Sequence, residues 1–282
     1  MRKISFIFLS VAAVALFAAA PARAQLNDSL EINYYTVGQG DRDFGQLAGG
    51  TFSNEVMTTL GPDGLPVLNT TTYGCTSNCF STSGAPKDVL SNGEMTYWSP
   101  SLNNGGAAGA SDVAYTGSAT VTLPFNQSSN FFPPNGTGSN DTHGSQAALI
   151  SGTITTSVSQ VLSFNIGADD MAFAFLNGQE ICDLGGVHGS SPGTCLSPFT
   201  VAAGTYSLEV FFVDVNAVQS GFTFGINSSN VVTVPSAPIT DGTSAPSQLQ
   251  QQVSGVPEPA SMALLGSAML GLWRVQRRRR TV

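Results

Sequence analysis

The stretch VLSFNIGADDMAFAFLNGQEIC, residues 161–182, decides the fold class. In its first six residues, 161–166, Leu162, Phe164 and Ile166 alternate with Ser163 and Asn165, the period of two that is typical of a half-buried strand. Asn177 and Gly178 then separate two further strand-like runs, 172–176 and 179–182, and this dipeptide is a strong signal for a tight β-hairpin. The stretch therefore predicts antiparallel strands joined by short turns.

The same alternation recurs farther along the chain. Every second residue is apolar in 205–212 and again in 222–226. Gly, Pro, Asn and Ser cluster at 105–109 and 126–145, and such clusters favour loops. Short alternating strands separated by turn residues are typical of two sheets packed face to face. We predict an all-β fold, an antiparallel β-sandwich.

The N-terminus has the features of a secretory signal peptide. Arg2 and Lys3 precede an apolar run over 4–20, and small residues follow in 22–24. This order predicts a signal peptide at 1–24, cut by signal peptidase between Ala24 and Gln25. A lasting N-terminal membrane helix is the alternative.

The C-terminus has a different pattern. Val256 is followed by Pro257, Glu258 and Pro259, then by an apolar run over 260–273, and the chain closes on a basic cluster with Arg277, Arg278, Arg279 and Arg280. The apolar run is short beside the roughly 20 residues that span a bilayer, and the arginines favour the cytoplasmic side.

The motif of proline and glutamate, apolar helix and arginines resembles the PEP-CTERM sorting signal of Gram-negative bacteria. The resemblance implies a transmembrane sorting helix that an exosortase processes, with an inner-membrane intermediate. It further implies export to the cell surface or extracellular matrix. An ordinary C-terminal anchor helix is the alternative.

The interval between the two ends is strongly acidic. The whole chain has 10 Lys and Arg against 18 Asp and Glu. Only Arg42 and Lys87 lie within residues 25–255, together with 17 of the acidic residues, so this interval has a formal charge of −15. Such a charge excludes nucleic-acid binding through bulk electrostatics, and it suits divalent cations.

Composition divides the chain into four parts. The signal peptide at 1–24 precedes a β-sandwich domain at 25–233. Residues 234–255 are rich in Pro, Ser and Gln, and they predict a flexible linker that is too polar to bury. The sorting signal occupies 256–282.

The four cysteines form two local pairs in the sequence. An exported chain meets an oxidising compartment, so disulfides are expected. The spacing favours Cys75–Cys79 and Cys182–Cys195 over the crossed pairings. A zinc site that uses all four cysteines is the alternative.

Asp169 and Asp170 are the candidate functional residues. Two adjacent carboxylates at a strand edge repel each other unless something compensates, and Ca²⁺ with oxygen ligands is one solution. A solvated acidic turn is the alternative. Farther on, we expect Asp183 to cap the turn at Gly185 and Gly186. We interpret His188 as a hydrogen-bonded structural residue rather than a ligand.

The run from the Asp pair through Asn-Gly to Asp-Leu-Gly-Gly-Val-His resembles the fibro-slime domain of bacterial surface proteins. Arg42-Asp43-Phe44 and residues 56–67 resemble the opening of that domain. Fibro-slime domains are similar to the protective-antigen-type β-sandwich, whose sugar-binding members hold Ca²⁺ on an Asp-Asp pair joined by a cis peptide. The resemblance implies this role for Asp169 and Asp170.

We therefore expect a non-enzymatic surface or matrix protein of a biofilm. It would bind carbohydrate, as glycan or exopolysaccharide, with calcium at the Asp pair. A purely structural matrix protein with no ligand site is the second hypothesis, and a polysaccharide-active enzyme is the third. The third would need paired carboxylates across a cleft, which the sequence does not show.

Overall fold

The computed structural model of the chain describes residues 29–38, 49–69, 88–129, 131, 145–216, 219–228 and 230–238. These residues form fourteen strands and one 3₁₀ turn at Ala107–Gly109, and they contain no α-helix. The strands are β1 (Ser29–Val37), β2 (Val113–Thr122), β3 (Phe125–Gln127), β4 (Ser145–Thr156), β5 (Gln160–Leu162), β6 (Phe164–Asp169), β7 (Met171–Leu176), β8 (Gln179–Leu184), β9 (Ser191–Pro192), β10 (Thr194–Cys195), β11 (Phe199–Val201), β12 (Gly204–Val213), β13 (Gly221–Ile226) and β14 (Val231–Pro235).

The strands form one large and two small antiparallel sheets. The eight-stranded sheet has the order β10-β8-β7-β12-β4-β1-β2, and β14 pairs with the end of β4. The four-stranded sheet has the order β3-β13-β6-β9, and β11 pairs with β5 alone. Every pairing between these named strands is antiparallel, which confirms the predicted fold class.

A first apolar core joins the large sheet to the two small ones. The predicted face of β12 supplies Leu208, Val210 and Phe212 to this core. β13 supplies Phe222, whose ring stacks on that of Phe212 at 4.9 Å between centroids. Fully burying side chains of this size contributes about 1.5–3 kcal/mol each, so this shared core holds the sheets together.

A second apolar core covers the opposite face of the large sheet. Here Phe173 and Phe211 pack against side chains from irregular segments, among them Leu65 and Trp98. The indole N–H of Trp98 donates to the backbone carbonyl of Phe212 at 2.7 Å. The large sheet is therefore buried on both faces, and its second cover comes from residues 49–69 and 88–112 rather than from a sheet.

The strand predictions agree with the structure in most places. The hairpin turn lies at Asn177 and Gly178, whose φ angles of 49° and 70° suit the tight turn that the sequence predicts. The prediction of one strand over 161–166 was wrong, because the chain leaves strand conformation at Ser163. β14 continues to Pro235 and thus occupies the first two residues of the predicted linker.

Several predictions fall outside the described residues. These are the signal peptide at 1–24, the Cys75–Cys79 pair, the opening motif at Arg42 and the sorting signal at 256–282. Among the described residues, no helix has the length and apolar character needed to cross a membrane.

Candidate functional site

The two predicted aspartates lie where the chain passes between sheets. β6 ends at Asp169 in the four-stranded sheet, and β7 begins at Met171 in the eight-stranded sheet. The peptide bond between Asp169 and Asp170 is cis. Both side chains are buried, with 6% and 2% of their surface exposed. Two adjacent carboxylates therefore stand at one end of the sandwich.

The Asp170 carboxylate holds two loops in place. Its Oδ1 accepts the backbone N–H of His188 at 3.1 Å, and its Oδ2 accepts that of Val215 at 3.0 Å. It also shares a hydrogen bond with the side chain of Asp214. A hydrogen bond between two carboxyl groups needs a proton on one of them. The Asp170–Asp214 pair thus carries one negative charge when this bond is made.

The pKa of Asp170 agrees with that arrangement. The pKa of Asp170 is raised to about 7, chiefly by burial and also by the charge of the neighbouring Asp169 carboxylate. The hydrogen bonds from Val215, His188 and Asp214 act in the opposite direction. Burial outweighs them because removing a carboxylate from water disfavours its charged form.

Asp169 contacts the same end of the fold. Its Oδ2 accepts the backbone N–H of Ser190 at 3.1 Å. The two aspartates therefore bind the connection between β8 and β9 at two points, and Asp170 binds the connection that follows β12. Sheet register explains the convergence, because Met171 pairs with Val213 and Asp169 pairs with Gly221.

A cavity of about 300 Å³ opens beside these carboxylates. Its lining is Asp169, Asp170, Val187, His188, Gly189, Asn216 and Gln219. Asn216 and Gln219 are exposed, so their amide groups stand at the mouth of the cavity. Carboxylates on the floor and amides at the rim offer hydrogen-bond partners to a polar ligand.

The residues present fit a calcium ion in part. Two adjacent carboxylates supply hard oxygen atoms, and Ca²⁺ takes 6–8 such ligands. The described ranges contain no group of three or more His, Cys, Asp or Glu side chains placed to hold a metal. An ion held by Asp169 and Asp170 would therefore complete its shell with amide or backbone oxygens, water and the ligand itself.

His188 acts mainly through its backbone. Its N–H donates to Asp170, and its Nδ1 lies 3.0 Å from the carbonyl oxygen of Gly189. Its Nε2 is buried and has no hydrogen-bond partner among the described atoms. The residue lines the cavity, and the hydrogen bond of its ring agrees with the structural interpretation.

Asp183 has a different role from the expected one. Its Oδ2 accepts the backbone N–H of Val56 at 2.9 Å, and the backbone N–H of Glu55 also donates to its side chain. Glu55 in turn accepts the N–H of Gly186. The prediction that Asp183 caps the turn was wrong, because Glu55, which comes from a distant segment, occupies the capping position.

A disulfide joins Cys182 to Cys195 across β8 and β10. This is the pairing that the spacing favours. Both thiols are consumed, so neither is available to zinc or as a nucleophile. Cys75 and Cys79 lie outside the described residues.

Sequence reasoning did not find Asp214, Asn216 and Gln219. All three lie in the connection from β12 to β13, more than forty residues beyond the Asp pair. The local signal is weak: an apolar strand gives way to a segment, 214–220, in which polar and apolar residues are mixed. Register between strands, which a single sequence does not reveal, brings this connection to the site.

Comparison with known proteins identifies one motif. Residues 255–280 match the model of the PEP-CTERM protein-sorting motif, which indicates export through the exosortase system. The match confirms the predicted sorting signal at this end of the chain. A search of curated proteins finds no match to the chain.

Solved structures show weak likenesses. The PA14 domain of the antifreeze protein MpAFP has 9% identity and a TM-score of 0.31, over 77% of this chain and 97% of that domain. The PA14 sugar-binding domain of an RTX adhesin has 13% identity and a TM-score of 0.30, over 73% and 94%. The A domain of epithelial adhesin 6 from Candida glabrata, in complex with Galb1-3GlcNAc, has 12% identity and a TM-score of 0.28, over 75% and 86%.

Likenesses at these TM-scores carry no argument about the site, whose chemistry follows from its own residues. The fibro-slime resemblance stays a prediction.

Proposed function

We propose that the chain is an exported, non-enzymatic protein of the cell surface or extracellular matrix that binds glycan or exopolysaccharide at the Asp169–Asp170 cavity. Ca²⁺ held by the two carboxylates would take part. The observation that carries the proposal is the pair of adjacent buried carboxylates at the floor of a cavity with amide side chains at its rim.

The size and lining of the cavity support a small polar ligand. A volume of about 300 Å³ lies at the lower end of the range of small-molecule sites, roughly 300–1,000 Å³. Among the described residues that line it, Val187 has the one aliphatic side chain, and the other lining side chains are polar or absent. Sugar hydroxyls both donate and accept hydrogen bonds, so amide groups such as those of Asn216 and Gln219 suit them.

The charge of the domain supports a cation at the carboxylates. No Lys or Arg occurs in the part of the chain that the structure describes, although nine of its carboxylate side chains are buried. A bound Ca²⁺ would supply positive charge and open coordination positions for ligand oxygens. Asp169 and Asp170 would hold the ion, while the backbone N–H groups of His188, Ser190 and Val215 keep the carboxylates oriented.

The destination of the protein follows from its sorting motif. We infer that signal peptidase and exosortase act on the two ends and that the membrane holds the chain as an intermediate. A strongly acidic, soluble domain is suited to a hydrated polysaccharide matrix, where a biofilm role would lie.

Calorimetry with Ca²⁺ and a glycan array, both on the full chain, test the binding proposal. We expect saturable Ca²⁺ binding and calcium-dependent glycan signals that Asp169→Ala abolishes. Glu209→Gln is the matched control, because Glu209 is a buried carboxylate on the large sheet away from the cavity. A chain that folds but gives no calcium-dependent signal would instead support the purely structural matrix role.

A further inference from the structure

Two buried carboxylates lie near each other behind the wall of the cavity. Glu55 belongs to the irregular segment 49–69 and Asp183 to β8, and they are 3% and 2% exposed. Asp183 accepts the N–H of Val56 at 2.9 Å, whereas Glu55 accepts the N–H of Gly186. The pair therefore connects two parts of the chain that are far apart in sequence.

One oxygen of each carboxylate lacks a partner. Glu55 Oε1 and Asp183 Oδ1 are buried and have no hydrogen bond to any described atom. The described ranges contain no Lys or Arg that could offset their charge. Two ionised carboxylates in such a place repel each other, and a proton on one of them removes the repulsion and supplies an O–H donor.

The space around the pair favours a proton over a metal ion. A Cβ atom at Gly185 would overlap the Glu55 carboxylate, and one at Gly186 would overlap the carbonyl oxygen of Gly50. The backbone therefore packs directly against Glu55 on this side. A calcium ion with its 6–8 ligands needs more room than this close approach leaves.

The segment that carries Glu55 also holds the cavity wall. The N–H of Gly50 donates to the carbonyl of Val187 at 2.9 Å, and Phe52 and Gly185 exchange two backbone hydrogen bonds, both 2.9 Å long. The chain continues from Gly185 into Val187, His188 and Gly189, which line the cavity. The position of residues 49–56 therefore sets the position of the wall.

We propose that Glu55 and Asp183 are positioning residues, that protonation of these carboxyl groups keeps the wall at 185–189 in place, and that loss of the proton loosens the wall and weakens binding in the cavity. This inference depends on the proposed function only for the identity of the ligand that the cavity binds. The link between the pair and the wall rests on the contacts of the pair alone.

The direction of the pH dependence follows from burial. Burial raises the pKa of Glu55 well above its usual range, and the Asp183 charge raises it further. The pKa of Asp183 is raised to about 7, chiefly by burial and also by the charge of Glu180, the other carboxylate of β8 that acts on it. A raised carboxyl pKa gives a contribution that is complete below the unfolded value, about 4, and is lost as the pH rises through 7.

Hydrogen exchange on the full chain at pH 6 and pH 8, without Ca²⁺ or glycan, tests the proposal. After correction for the intrinsic exchange rate, we expect the opening of amides 185 and 186, neither of which donates to Asp170, to increase roughly tenfold or more in the natural chain, since one group with a pKa near 7 supplies a factor of about ten. In the double variant Glu55→Gln/Asp183→Asn the increase falls below about threefold, because neither amide ionises at these pH values and both still donate and accept hydrogen bonds.

The single variant Asp183→Asn, in which only Glu55 of the pair can still ionise, should show a smaller increase than the natural chain. Glu209→Gln should retain the tenfold increase, since Glu209 lies elsewhere on the sheet. An equal increase in the natural chain and in whichever of the two variants folds would overturn the proposal, as would no increase in the natural chain. Because the assay contains no ligand, its result is independent of whether the cavity binds calcium or glycan.

Discussion

At the scale of single residues, Asp170 contributes to stability as well as to the cavity. In Asp170→Ala, the buried N–H of Val215 and the partly buried N–H of His188 lose their acceptors. A buried donor without a partner costs about 1–3 kcal/mol, so we expect a loss of about 2 kcal/mol or more in the free energy of unfolding. Urea denaturation at pH 5 measures it.

The matched control for this variant is Ser157→Ala, an exposed residue in the turn after β4. We expect it to change the free energy of unfolding by less than about 0.5 kcal/mol. If Asp170→Ala were as stable as this control, the carboxylate would not be holding the two loops.

The sequence shows part of this site and conceals the rest. Asp169 and Asp170 are visible because two adjacent carboxylates at a strand edge are a local pattern. Asp214 is invisible, because it joins them only through the pairing of β12 with β7. Glu55 is hidden for the same reason, since it reaches Gly186 from a segment without regular strands.

At the scale of elements, the β7–β8 hairpin depends on its turn glycine. Gly178 has a φ of 70°, and a Cβ atom there would meet no heavy atom within 4 Å. The cost of Gly178→Ala is therefore purely conformational, and we expect a loss of about 1–2 kcal/mol of unfolding free energy. Chemical denaturation measures this loss.

Gly189→Ala is the control for the hairpin prediction. A Cβ atom at Gly189 also meets nothing within 4 Å, but its φ lies outside the left-handed region. We expect little change in stability there. Equal losses at both glycines would show that the turn conformation is not the cause.

A strand could be predicted from the sequence where a continuous run of alternating apolar residues forms a single strand in a single sheet. Leu162, Phe164 and Ile166 alternate without interruption, yet β5 and β6 lie in different sheets. All three side chains enter the same first core, so the hydrophobic pattern has no break at Ser163. The second core could not be predicted, because the segments that cover it are irregular and their apolar residues follow no regular spacing.

At the scale of the whole molecule, the sorting motif predicts how the chain is processed. Replacing Pro257, Glu258 and Pro259 with alanine should leave an uncut precursor in the membrane fraction, because the matched motif at 255–280 would no longer be read. Immunoblots of membrane and extracellular fractions measure this. Substituting Pro246 in the predicted linker is the control, and equal accumulation there would argue against recognition of the motif.

The buried carboxylates also give the whole domain a characteristic response to pH. Burial raises the pKa values of Asp170 and Asp183 to about 7. Raised carboxyl pKa values stabilise the fold fully below about pH 4 and lose this contribution as the pH rises through 7. We therefore expect the melting temperature of the calcium-free chain to fall between pH 5 and pH 8, rather than to peak near neutrality.

Calcium should reverse part of that loss. An ion at Asp169 and Asp170 competes with the proton on the Asp170–Asp214 pair, so its affinity rises as the pH rises from 5 to 8. Added Ca²⁺ should then raise the melting temperature at pH 8 more than at pH 5, since at a given concentration a ligand with higher affinity for the native state stabilises it more. Scanning calorimetry with Ca²⁺, and with EDTA as the control, measures both. A calcium effect that is equal at the two pH values, or that survives in Asp169→Ala, would place the ion elsewhere on the chain.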